Sequence, residues 1–113
     1  MVANVDGALV GVTGWYRMTS TEVGLRWHGV RPAARRKGYS RQMIDLVCRL
    51  LPVEIEHIFE VTRNPRSKVS FCQCGFQVVT NPDGVRRVVQ HAEYDIENGG
   101  WVLRRESRAV RAQ

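Results

Sequence analysis

Val30-Arg31-Pro32-Ala33-Ala34-Arg35-Arg36-Lys37-Gly38-Tyr39-Ser40 is the stretch on which the fold turns. Just before it, Val23, Leu25 and Trp27 alternate with other residues, the pattern of a strand that reaches Val30. Just after it, Met43, Ile44, Val47, Cys48, Leu50 and Leu51 recur at helical spacing and make one apolar face, which Pro52 ends. The stretch is therefore a basic turn from a strand into a helix N-terminus. Such a turn aims several backbone N–H groups at one point, and the helix end adds positive potential there. Arg35, Arg36 and Lys37 add formal charge. These donors suit phosphate, and a diphosphate better than a single phosphate. Gly38 leaves the backbone open to close approach.

Upstream, Asp6-Gly7 reads as a hairpin turn, Leu9 to Tyr16 as a strand and Thr19-Ser20-Thr21 as a second turn. Downstream, Ile55, His57, Phe59 and Val61 alternate along a further strand. Asn64 then Pro65 starts a short helix, with Asn as N-cap and Pro as first helical residue. Gly75 closes that helix in the left-handed conformation. Phe76 to Val79 is another strand, and Asn81-Pro82-Asp83-Gly84 is a turn. Val85 to Tyr94 and Trp101 to Leu103 are the last strands, parted by a turn at Asn98-Gly99-Gly100. The order predicts one α/β (α+β) domain over residues 1–113, built on a mixed, largely antiparallel sheet.

A chain of 113 residues, 43% hydrophobic and 25% charged, suits one globular domain with one core. No apolar run is long enough to span a bilayer, and no secretion signal opens the sequence. Cys48, Cys72 and Cys74 are odd in number, which points to reduced thiols and a cytoplasmic location. Cys72-x-Cys74 is tighter than the usual zinc pair, so no metal is expected. The net charge of +6 suits an anionic cofactor, and nonspecific nucleic-acid binding as well. Much of its excess lies in the Arg31-to-Arg41 segment and in the tail, with Arg104, Arg105, Arg108 and Arg111. Apolar periodicity stops after Leu103, so residues 106–113 read as a flexible basic tail. No nucleic-acid reader motif accompanies the charge.

Arg35-x-x-Gly38-x-Ser40, with Val30-x-Pro32 before it, resembles the first signature of the GNAT superfamily of N-acetyltransferases. Asn64-Pro-Arg-Ser67-Lys-Val-Ser-Phe71-Cys-Gln-Cys-Gly75-Phe76 resembles its second, in the family's order and separation. The resemblance covers roughly residues 5–105 and implies two conserved helices on the sheet. It implies that the strands flanking the first helix are parallel neighbours that splay apart. It also implies that coenzyme A binds with its pyrophosphate on Arg35, Arg36, Lys37, Gly38, Tyr39 and Ser40 and its pantetheine arm in the cleft. The thioester is then expected near His28, Gly29 and Val30, where a backbone N–H steadies the oxyanion. Asn64 matches a cofactor contact and is equally the helix cap. Relatives begin with a strand and two helices that this sequence lacks, so the domain reads as N-terminally shortened. A second subunit completing the site, as a homodimer, would compensate and cover an exposed sheet edge.

The implied reaction moves an acetyl group from acetyl-CoA to an amine by direct attack in a ternary complex. Phe71 stands where relatives often carry a Tyr that protonates the leaving thiolate. A thiol of pKa about 8.5 leaves without much help, so this loss slows transfer without forbidding it. A lysine-like amine, of pKa about 10.4, must lose a proton first, so a base is wanted near the thioester. His28 and Glu22 lie on the right strand and are the candidates. Trp15, Tyr16 and Trp27 are read as core rather than acceptor pocket. Two other functions fit the same residues: a module that binds coenzyme A with little catalysis, and a basic nucleic-acid-binding protein.

Overall fold

Gly7 turns the chain at φ +81°, and the expected hairpin joins β1 (Val2–Val5) to β2 (Ala8–Arg17). The computed structural model describes residues 2–5, 7–80, 88 and 95–107, with backbone alone at Ala3, Trp27 and His28. β3 (Glu22–Val30) returns antiparallel to β2. A 3-10 turn (Pro32–Ala34) leads into α1 (Tyr39–Arg49), then β4 (His57–Thr62) and α2 (Pro65–Gln73). A two-residue β5 (Gln77–Val78) and β6 (Trp101–Glu106) follow. The sheet order is β1-β2-β3-β4-β6-β5. β3 and β4 run parallel, and every other described pairing is antiparallel. This is the mixed sheet with two helices that the sequence predicts.

α1 and α2 lie on one face. α1 buries Met43, Ile44, Val47 and Cys48, four of the six positions expected on its apolar face. Ile44 and Val47 pack with Val23 and Leu25 of β3, Ile58 of β4, Phe71 of α2 and Leu103 of β6. Leu50 departs from the expectation. The helix ends at Arg49, and Leu50, as its cap, swings into solvent at 67% exposure. On the opposite face Phe59, Val88 and Val102 form a second cluster with Val61 and Ile96 against them. β4 is therefore buried on both faces, and Ile58 and Phe59 are both fully enclosed. The alternation of Ile55, His57, Phe59 and Val61 shows only half of that arrangement.

Three expectations change. Of the strand predicted over residues 85–94 only Val88 is described, and it is helical and buried beneath the second cluster's face. The turn at residues 81–84 lies outside the described residues. Arg104 and Arg105 belong to β6, not to a tail, because they pair with Phe59 and Ile58 of β4. Glu106 ends that strand, and the buried Ser107 donates its N–H to the Glu56 carbonyl at 2.8 Å. Residues 106 and 107 therefore belong to the fold, and residues 108–113 lie outside the described residues.

Gly11 lets β2 pass under α1. A Cβ there would stand 2.5 Å from the Gly29 carbonyl oxygen and 2.8 Å from the Met43 sulfur. A backbone oxygen cannot yield as a side chain does, so Gly11→Ala destabilises the fold by roughly 1–3 kcal/mol. Gly29→Ala is the control, since its methyl meets nothing within 4 Å. Urea unfolding shows a lower midpoint for Gly11→Ala alone; equal midpoints would contradict this packing.

Candidate functional site

The parallel pairing of β3 and β4 is short. Glu22 faces His57, Val23 faces Ile58 and Gly24 faces Phe59, and there the ladder ends. β3 continues against β2 to Val30, and β4 continues against β6 to Thr62. A wedge therefore opens between them, as expected for splayed strands. β3 also carries a bulge: Val12 faces Gly29 and Gly14 faces Arg26, so Trp27 and His28 together oppose Thr13. A bulge bends its strand and leaves a backbone group unpaired. The irregularity lies at Trp27–His28, just before Gly29.

At the open end of the wedge the Val30–Ser40 turn forms a cradle. Arg31 donates its N–H to the Val10 carbonyl at 2.7 Å, which ties the turn to β2. Arg35 Nε donates to the Val30 carbonyl at 3.2 Å. Arg36 and Gly38 both have positive φ, 66° and 79°. Arg36 pays no return in packing for that conformation, which an L-residue adopts at a cost and which clusters at ligand sites. Gly38 is the N-cap of α1 and offers no side-chain cap, and no acidic residue stands in the first turn. The helix's positive end thus faces the cleft without a protein anion against it.

The cleft between the starts of α1 and α2 measures about 780 Å³. Arg35, Arg36, Arg41 and Arg66 line it, and among the described residues no carboxylate does. Gly29 and Val30 form its β3 wall. Asn64, Ser67, Ser70 and Gln73 form its α2 wall. Asn64 also caps α2, accepting the Arg66 N–H on Oδ1 at 2.9 Å.

Of the expected cofactor residues, Val30, Arg35, Arg36, Gly38, Tyr39, Ser40 and Asn64 line this cleft. Lys37 is in the turn but not on the wall. Phe71 is elsewhere. It is buried in the core, edge-on to Phe76 at 5.1 Å between ring centres. Helical phase explains this: Ser67, Ser70 and Gln73 take the cleft side of α2, which turns Phe71 inward. That polar spacing of three, together with Arg41 and Arg66, was readable in the sequence and was missed. Glu22 sits at the far end of β3, about 26 Å along an extended strand from Val30. Its carboxylate accepts the Thr19 hydroxyl at 3.1 Å. His28 lies in the bulge, and its side chain is outside the described atoms. Trp15 is 40% exposed rather than core, and Tyr16 packs over Gly24, whose Cβ would touch its ring.

Glu60 was also missed. It follows Phe59, one residue past the end of the parallel ladder. It is 9% exposed, its Oε2 has no hydrogen-bond partner among the described residues, and its carboxyl is held by the Val61 N–H. Burial pushes its pKa up to about 8, the Val61 N–H pulls the other way, and Asp95 raises it further. The signal was one acid inside the apolar run Ile58-Phe59-Glu60-Val61.

Solved structures share this fold. N-acetylglutamate synthase from Neisseria gonorrhoeae, solved with coenzyme A and N-acetyl-glutamate, matches with TM-score 0.74 and 19% identity over 95% of this chain and 25% of that one. Tetrahymena GCN5 matches with TM-score 0.74 and 15% identity over 96% of this chain and 68% of that one. Spermidine N-acetyltransferase from Vibrio cholerae, solved with coenzyme A and spermine, matches with TM-score 0.68 and 14% identity over 95% of this chain and 63% of that one. The chain thus spans about a quarter of the synthase and about two thirds of the others. No protein-family model matches the sequence, and no characterised protein matches it in sequence. The chain therefore shares the fold of these acetyltransferase structures.

The buried Glu60 has a measurable consequence. An acid whose folded pKa lies above its unfolded value stabilises the fold fully below about pH 4, and that contribution is lost as pH rises through about 8. Glu60→Gln removes the titration. Urea unfolding at pH 9 shows the variant more stable than wild type by on the order of 2–3 kcal/mol, with near-equal stability at pH 4. A difference independent of pH would place the carboxyl in water.

Proposed function

We propose that this protein is an N-acetyltransferase that moves an acetyl group from acetyl-coenzyme A to an amine by direct attack in a ternary complex. The observation that carries this is the arginine-lined, carboxylate-free cleft at the start of α1, continuous with the wedge between β3 and β4. Arg35, Arg36 and the first-turn N–H groups of α1 hold the pyrophosphate. Arg41 and Arg66 supply further charge to the anionic end, and Asn64 a polar contact on the α2 side. β3 offers backbone groups to the pantetheine amides, and the bulge at Trp27–His28 supplies an unpaired one near the thioester. The thioester supplies an activated acetyl group and a leaving thiolate of pKa about 8.5.

Neighbours with this fold were solved with molecules as different as N-acetyl-glutamate and spermine beside coenzyme A, so the acceptor class here stays broad. The reading includes a homodimer. Val2 and Val12, cross-strand partners at the sheet's edge, are both exposed, and β1 has a free edge among the described residues. It also includes a cytoplasmic setting: the three cysteines are free thiols, and no described helix is long and apolar enough to cross a membrane. The nucleic-acid reading loses ground, because Arg104 and Arg105 are part of the sheet. A module that binds coenzyme A with little catalysis is the second reading, favoured by Phe71, which brings no hydroxyl to the cleft.

Calorimetric titration with acetyl-CoA tests the proposal. A Cβ on Gly38 meets nothing within 4 Å, but its φ of +79° disfavours any side chain, so Gly38→Trp both strains the turn and crowds the cradle. Wild type binds in the micromolar range, and Gly38→Trp weakens binding at least about tenfold, a loss of roughly 1.4 kcal/mol. No binding by folded wild type at millimolar cofactor would sink the proposal. Binding without transfer to a broad amine panel would select the second reading.

A further inference from the structure

The reaction proposed above needs a base; of the expected candidates, His28 has its side chain outside the described atoms. Glu22 is engaged by Thr19 at the closed end of the β3–β4 ladder. Glu60 is placed differently. It occupies the first position of β4 after pairing with β3 ends, level with Leu25. From there to His28, beside the expected thioester, is three residues of strand, about 10 Å. That distance is within reach of a proton relay through bound acceptor and water.

Glu60 is also an unusual side chain to bury. One carboxyl oxygen takes the Val61 N–H, and the other has no partner among the described residues. A buried acid left half-satisfied destabilises a fold by about 1–3 kcal/mol or more. Its surroundings do not neutralise it. Asp95 is paired with Arg63 at 3.2 Å, so that cation is already engaged. On the β2–β3 side the Tyr16 ring stacks under Arg26 at 4.2 Å, and the Tyr16 phenol feels the Glu60 charge. Arg105, the other buried cation, faces Cys48 and Cys74 instead.

We propose that Glu60 is the general base of the transfer, accepting a proton from the acceptor ammonium in the β3–β4 wedge; the assignment rests on the acetyl-transfer reading. The ammonium N–H bond breaks, and its proton moves to the Glu60 carboxylate, directly or through one water. The neutral nitrogen then forms the N–C bond to the thioester carbonyl as the C–S bond breaks. The departing sulfur keeps that bond's electron pair and receives the second nitrogen proton, so the thiol leaves neutral. Burial that keeps the carboxyl weakly acidic makes it a stronger base when ionised, matched to work near pH 8.

The test follows thiol release from acetyl-CoA by wild type and Glu60→Gln between about pH 6 and 10. Two small probe amines are used: n-propylamine, protonated at neutral pH, and 2,2,2-trifluoroethylamine, already neutral there. With n-propylamine, wild-type kcat/KM rises with pH through an inflection near 8. Glu60→Gln lowers it about 10²–10³-fold and removes the inflection. With trifluoroethylamine the variant loses less than about tenfold, because no proton need be taken first. Calorimetric affinity for acetyl-CoA stays within about twofold, which separates a catalytic loss from a folding or cofactor-binding loss. Equal losses with both amines, a retained inflection, or wild type that binds acetyl-CoA and transfers to neither amine overturns the assignment. Wild type that fails to bind acetyl-CoA overturns the parent reading itself.

Discussion

Everything in this domain depends on a ladder that stops. Three residue pairs join β3 to β4, and after Gly24 and Phe59 each strand follows a different neighbour. Ending a ladder inside a sheet leaves N–H and C=O groups facing one another across a gap, and such groups need partners. The bulge at Trp27–His28 adds another. An extended ligand carrying its own amides can satisfy both sides of the gap, acting as a short inserted strand. The fold tolerates the gap because the rest of β3 and β4 is secured from outside. β2 holds one strand to Val30, and β6 holds the other to Thr62. Clusters on both faces of β4 fix its position.

Charge completes what the ladder begins. The cradle gathers four arginines and a bare helix N-terminus, with no carboxylate among the described wall residues to offset them. The acids lie elsewhere, as in Arg17–Glu54 and Arg49–Asp45 on the surface. Part of the net charge of +6 is therefore focused on this opening. Exposed arginines at such an opening attract an anion over a Debye length of about 8 Å at physiological salt. The backbone donors behind them decide its orientation.

The residues that were legible in the sequence share a cause: their role is local. Gly38 and Gly75 have positive φ because turn and cap geometry demand it, and Asn64 caps because Pro65 follows. Strand alternation in Val23 and Leu25 survives because one face of β3 meets α1. What was not legible depends on partners distant in sequence. Phe71 matches a motif position, yet its direction follows from the phase of α2 against the core. Arg104 and Arg105 looked like tail until β4 gave them partners. Val88 lies within a run read as a strand, but the second face of β4 required a helical cover there. Glu60 stands out in sequence only as one acid among apolar neighbours, and its meaning comes from where the β3 ladder ends.

That position also explains how a carboxyl with pKa near 8 can act as a base at neutral pH, where roughly nine in ten copies carry the proton in the free protein. An arriving ammonium is a cation placed beside a poorly solvated acid. Its field lowers the carboxyl pKa, just as Glu60's negative charge raises that of Tyr16. Binding the acceptor therefore ionises the group that is to deprotonate it. The two then form a pair sharing one proton, and the proton's position is set by the pair rather than by either partner alone. On the proposed assignment, the same low dielectric that holds Glu60 neutral when alone intensifies its attraction to a cation. A neutral solute would gain nothing from Glu60, whereas an ammonium would be drawn to it before any chemistry begins.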